Sequence, residues 1–199
     1  MNRPPVILAT LLAATLAWLP PQEHAAEEGR SFTLSPDPEA VVLQARFSGS
    51  TRPSVVYTLY GDGRLVHERV QEAAKHVSEH VEVQLGFLER EELIRIVVDA
   101  GLVECDPDCI SKKCAESLGV HRIPQTRDCG GVMLTLNLES YQGPRDLAPR
   151  TVHSRTYLDC PHVLVDYYCS AAVLPEAQAY LDLAKALHER KTAAQEPEH

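Results

Sequence analysis

Two groups of residues in this 199-residue chain are of a type and spacing that could do chemistry. One is the run HVSEH, in which His76, Glu79 and His80 match the inverted zinc-protease pattern H-x-x-E-H. The other is a set of six cysteines: Cys105, Cys109, Cys114, Cys129, Cys160 and Cys169.

In the zinc motif both histidines bind the metal and the glutamate acts as base. That arrangement needs a helix, because only i, i+4 positions on a helix bring the two imidazoles together. On a strand, at 3.3 Å per residue, His76 and His80 would stand about 13 Å apart, too far to share an ion. Val77, Val81, Val83 and Leu85 share a parity with Glu79, which favours a strand with Glu79 among its inward positions. The preceding helix-friendly QEAAK keeps the helical reading, and with it a zinc-dependent hydrolase, as the alternative.

The cysteines point elsewhere. Structural zinc sites use C-x2-C knuckles, but the gaps here hold three, four, fourteen, thirty and eight residues. No C-x-x-C redox pair occurs. An even number of cysteines in an exported chain implies disulfides, and six cysteines allow fifteen pairings that the sequence does not choose between. Four of them fall in residues 105–129, a stretch with no sustained period, which is therefore expected to be a loop held by cross-links. Within it Asp106, Asp108, Lys112 and Lys113 are the candidate binding residues. A calcium loop is excluded, since Ile110 and Ser117 occupy positions where an EF-hand needs ligands. Without a G-x-S-x-G elbow, a P-loop or a dinucleotide fingerprint, no catalytic residue or cofactor is assigned.

The elements that would position these groups follow from periodicity. Strands are expected over 41–47, 54–60, 64–70, 77–85, 132–138 and 151–158, with Gly61-Asp62-Gly63 turning a hairpin. A helix runs from Leu88 with Leu93, Ile94, Val97 and Val98 as its apolar stripe, capped near Gly101. Pro175 opens a second helix with Leu174, Leu181, Ala184 and Leu187 on one face. The expected fold is α+β: an antiparallel sheet with two helices packed on it and a disulfide-stapled loop, all within residues 41–190.

Residues 1–26 read as a signal peptide, because Val6–Leu19 is uncharged and too short to span a bilayer as a helix. Residues 27–40 then form a flexible leader, and 191–199 a disordered tail. The expected location is periplasmic or secreted, with no stable membrane span after signal cleavage. A net charge of -9, with Lys112-Lys113 the only adjacent lysines, excludes a general nucleic-acid binder.

The segments ARFSGS (45–50), YTLYGDGRL (57–65), LEREELIRIVVDAGL (88–102) and VMLTLNLE (132–139), with the terminal helix, resemble small exported bacterial domains of unknown function. The same order is faintly similar to emfourin-type inhibitors of thermolysin-like metalloproteases. The six cysteines depart from that pattern, so no functional residue is carried over. Loops held by disulfides on a compact scaffold lose less entropy on association, so the expected function is a non-enzymatic protein-binding module with a protease or envelope component as partner, inhibition of a protease being the narrower form that the resemblance adds.

Overall fold

Strands of alternating character, each apolar on one side, can be buried only by pairing and then covering that side. The computed structural model describes residues 30–49, 53–71, 76–105, 107–121, 123, 129–169 and 174–195. Within them seven antiparallel strands form one sheet: β1 (Ser31–Thr33), β2 (Val41–Ser48), β3 (Ser54–Tyr60), β4 (Arg64–Gln71), β5 (His76–Gln84), β6 (Gly131–Gln142) and β7 (Arg150–Asp159). From β2 to β5 the chain is a simple meander, each strand pairing with the next. Strand β6 returns beside β2 and carries β7 on its other edge, while β1 pairs with the last residues of β6, beyond the end of β2.

Register places Leu43, Leu59, Leu65 and Val83 in one row across the meander, and Leu136 continues it on β6. The neighbouring row is Leu134, Ala45, Tyr57, His67 and Val81. These rows face the helices and form the core. The opposite face carries Gln44, Arg46, Thr58, Glu68 and His80, joined by such contacts as Gln44 Nε2 to Thr58 Oγ1 (3.2 Å) and His80 Nδ1 to Glu68 Oε1 (3.4 Å). A sheet covered on one side and polar on the other is the ordinary antiparallel solution.

Helix α1 (Phe87–Asp99) buries Leu93, Ile94, Val97 and Val98, the expected stripe, and ends with Gly101 at φ 74°. The Glu89 carboxylate accepts the Gly86 N–H at 2.8 Å, satisfying one donor that the first turn leaves over. In the hairpin only Gly63 takes a left-handed φ, of 95°, and Asp62 Oδ1 accepts the Arg64 N–H at 2.9 Å.

Several expectations need correction. The stretch expected to be an orderless loop contains a twelve-residue helix, α2 (Pro107–Leu118), with Ile110 and Cys114 buried along one side. Short helical segments α3 (Pro161–Val163) and a π-helical turn (Leu164–Tyr168) follow β7, so the sheet carries more than two helices. The final helix, α4 (Pro175–Ala193), buries Ala177, Tyr180, Leu183, Leu187 and Lys191; of the expected stripe Leu174 and Leu187 are fully buried, while Leu181 and Ala184 are half-buried at its margin. The leader is not wholly flexible, since Ser31–Thr33 make strand β1. Nor is the tail free from 191 onward, since Lys191 is buried in the helix.

Helix α4 is the strut of the molecule. At 1.5 Å per residue its nineteen residues reach about 28 Å. Near its start the Tyr180 hydroxyl meets Thr156 Oγ1 of β7 at 2.6 Å. At its far end Arg190 Nη2 donates to Glu92 Oε2 of α1 at 2.8 Å, and Lys191 donates to Glu79 of β5.

Candidate functional site

Strand β5 resolves the H-x-x-E-H question by alternation. His76 and His80 are exposed, while Glu79 turns to the opposite side and receives the Lys191 ammonium. Glu79 also lies 3.6 Å from Arg69 Nε and 3.9 Å from His67 Nδ1. Its lowered pKa comes first from the Lys191 hydrogen bond, which favours the carboxylate. The triad the zinc motif requires is therefore not assembled, and no group of three metal-ligating side chains occurs among the described residues. Gln71 ends β4; residues 72–75 lie outside the described residues.

The cysteines divide into two kinds. Cys114 and Cys169 lie at disulfide distance with Cα atoms 6.2 Å apart, as do Cys129 and Cys160 with Cα atoms 5.3 Å apart. The first pair ties α2 to the end of the π-helical turn, where Ser117 Oγ lies 3.1 Å from Cys169 Sγ. The second ties the approach to β6 to the end of β7, beside a hydrogen bond from Cys160 N–H to Gly130 O of 2.9 Å. Cys105 and Cys109 stand outside both pairs, with their thiols in hydrogen-bond contact. The expectation that all six are cross-linked is thus met for four.

Cys105 and Cys109 line a cleft of about 440 Å³ where five parts of the chain converge. The end of α1 supplies Gly101 and Glu104, α2 supplies Cys109 and Lys113, and the β6–β7 loop supplies Gly143, Arg145 and Asp146. Arg30 enters from the start of β1 and Glu176 from the first turn of α4. The wall is held by an interlocked polar set. Arg30 Nη1 donates to Asp99 O at 2.9 Å, Tyr141 Oη donates to the Glu104 carboxylate, and the Gly143 N–H donates to Asp146 Oδ2 at 2.9 Å. Burial and then the Glu104 hydrogen bond push the Tyr141 phenol well above its usual range, so it remains a donor.

Lys113 donates to Glu176 Oε1, and that bond holds the Lys113 ammonium above its ordinary pKa. Glu176 is only 7% exposed, and its second oxygen, Oε2, has no hydrogen-bond partner among the described residues. A buried carboxylate oxygen without a donor is costly, which sets Glu176 apart from the satisfied polar groups of the cleft wall.

Of the expected binding residues, Lys113 lines this cleft, whereas Asp108 and Lys112 are exposed on α2. Asp106 lies outside the described residues, as does the expected signal segment. Arg30, Glu104, Tyr141, Asp146 and Glu176 escaped the sequence reading because they meet only in the fold; Glu176 follows Pro175 in a helix's first turn, where an acidic residue normally means dipole complementarity and no more. A second hollow, of about 410 Å³, lies between β1, the hairpin turn and α1 and is more apolar, with Phe32, Leu34 and Phe87 in its lining. No helix among the described residues is long and apolar enough to cross a membrane. Compared with protein-family models and with curated proteins, the chain matches none.

Proposed function

We propose that this chain is an exported, disulfide-stabilised, non-enzymatic module that binds a protein, and that α2 with the cleft beside it forms the contact surface. The observation that carries the reading is the cleft beside α2, lined by Lys113 and by Glu176, whose Oε1 accepts from Lys113 while Oε2 is buried with no hydrogen-bond partner among the described residues. Once the Lys113–Glu176 pair shifts to uncover Oε2, peptide N–H groups and side-chain donors on a partner's loop have the right chemistry for it. The rim supports the same reading: Lys112 and Asp108 are exposed on a helix that the Cys114–Cys169 bond holds in place. A surface fixed before association loses less entropy on binding. Inhibition of a protease is the narrower form of this proposal.

A photo-reactive amino acid placed at Lys112 in the full chain, expressed in its source cells, tests the proposal. The expected result is one protein adduct of discrete mass in the envelope or medium, lost when Glu176→Gln is added. No adduct, or an adduct indifferent to Glu176→Gln in a correctly folded chain, would sink it. Should the adduct prove to be a protease, titration of its activity with purified chain reads out inhibition directly.

A further inference from the structure

The geometry points to Cys105 and Cys109 as a reversible dithiol–disulfide site that reacts with low-molecular-weight disulfides while the other two cysteine pairs stay bonded. The inference goes beyond the binding reading and holds without it.

Three observations carry it. First, the two thiols are already in contact. Second, both line the open cleft, whereas each bonded pair has a buried member, Cys114, Cys160 and Cys169 being 0%, 7% and 5% exposed with Cys129 half-buried, so a small reagent reaches the 105/109 thiols more readily. Third, the spans differ. The bonded pairs close 55 and 31 residues of chain, but Cys105 and Cys109 are only four positions apart. Stabilisation by a cross-link grows with the loop it closes, so this one contributes least.

The local backbone works in the same direction. Cys109 lies in the first turn of α2, and Cys105 precedes that helix by two residues. A disulfide holds its Cβ atoms about 3.5–4.5 Å apart, so closing one across this junction engages the helix start. Accessible bonds of this kind are more readily reduced than buried ones. The Cys105 thiol is pushed up to about 12, first by burial and then by its neighbour Cys109, which disfavours Cys105 as the thiolate that opens the reaction. The first attack is therefore assigned to Cys109.

Atoms and electrons balance as follows. The Cys109 thiolate attacks one sulfur of R–S–S–R, forming a mixed disulfide and expelling RS⁻, which takes up the proton Cys109 lost. Cys105 then gives up its proton and attacks Cys109 Sγ, expelling the second RS⁻, which is protonated in turn. Two protein thiols are oxidised by two electrons, and the disulfide reagent is reduced to two RSH.

The test is equilibration of the full-length chain in buffers of varied reduced-to-oxidised glutathione ratio, followed by alkylation and peptide mass mapping. Cleavage at Lys112 and Lys113 separates the 105/109 pair from Cys114. The expected result is an exchange between two alkylated thiols and one internal 105–109 bond at ratios that leave Cys114–Cys169 and Cys129–Cys160 intact. Cys105→Ser is expected to trap glutathione on Cys109, and Cys109→Ser to slow glutathione uptake by about ten-fold or more. Thiols that stay unreacted in excess oxidised glutathione would overturn the inference. So would two separate adducts on the unaltered chain, or a 105–109 bond reduced only together with the other pairs.

Discussion

Lys191, two residues from the end of α4, donates its ammonium hydrogen bond to the Glu79 carboxylate on β5, 112 positions earlier in the chain. The lysine residue is 8% exposed, and the carboxylate it meets is also bordered by Arg69 and His67. This bond fixes the far end of the strut to the edge strand.

Lys191→Met is therefore expected to lower stability by about 1.5–3 kcal/mol, the usual worth of a hydrogen bond to a charged group. Glu79→Leu combined with Lys191→Met should recover much of the loss, because neither charge of the pair is then left without its partner and the remaining Arg69 is half in solvent. Urea unfolding of the two single variants and the double variant measures the coupling; additive losses would remove the pair from the account.

Stability should fall as the solution is acidified, in two windows with separate causes. His67 is 3% exposed, and burial first and the Lys191 ammonium second hold its pKa below 6.5, with Arg69 and His188 adding to the effect and Glu79 opposing it. Below about pH 6.5 the unfolded chain takes up a proton that the folded chain refuses, so stability drops until the folded imidazole also titrates. Glu79, whose pKa is lowered by Lys191, adds a second loss below about 4.5. His67→Gln should flatten the first window and leave the second, as read from unfolding midpoints between pH 7 and 4.

The two bonded cysteine pairs close 55 and 31 residues, and chain entropy gives such cross-links about 3–4 kcal/mol each. Cys114→Ala with Cys169→Ala should lower the midpoint accordingly. It should also release amide protection on α2 before protection on the β2–β3 pairing is lost, as hydrogen exchange would show.

Gly63 sits at φ 95°, and an added Cβ would lie 2.6 Å from Leu85 O, inside contact distance. Gly119 has φ 66° but open space around the same position. Gly63→Ala should therefore cost about 2–3 kcal/mol, strain plus collision, against about 1 kcal/mol for Gly119→Ala. Thermal midpoints of the two variants provide the comparison.

The meander was readable from sequence because its strands obey period two almost throughout. From Ser78 to Gln84 the burial alternates, so the parity that favoured a strand over the zinc motif's helix had a physical basis. Helix α2 was not readable, and the reason is physical. Its inner side is made by Ile110, Cys114 and Ala115, and the place of a large apolar side chain is taken by a sulfur bonded to Cys169. A covalent link substitutes there for the apolar stripe on which helix detection depends. The last helix was found with Leu174 and Leu187 on its buried face, but Tyr180 and Lys191 were missed there, since they serve as inward residues by carrying their polar ends to Thr156 and Glu79. The cleft draws on Arg30 at one end of the domain and Glu176 at the other, a relation that no local pattern encodes.

Both bonded cysteine pairs lie between positions 114 and 169. Strands β2–β5 and α1 contain no cysteine, and the strands pair each with its sequence neighbour. Short-range pairings of this kind form quickly, and a chain that emerges N-terminus first presents them first. The earlier half can therefore act as a template, with β2 offering its free edge to β6, and oxidation then records an arrangement already chosen by strand pairing. On that order of events the covalent bonds would come last, as a seal on a topology selected before them.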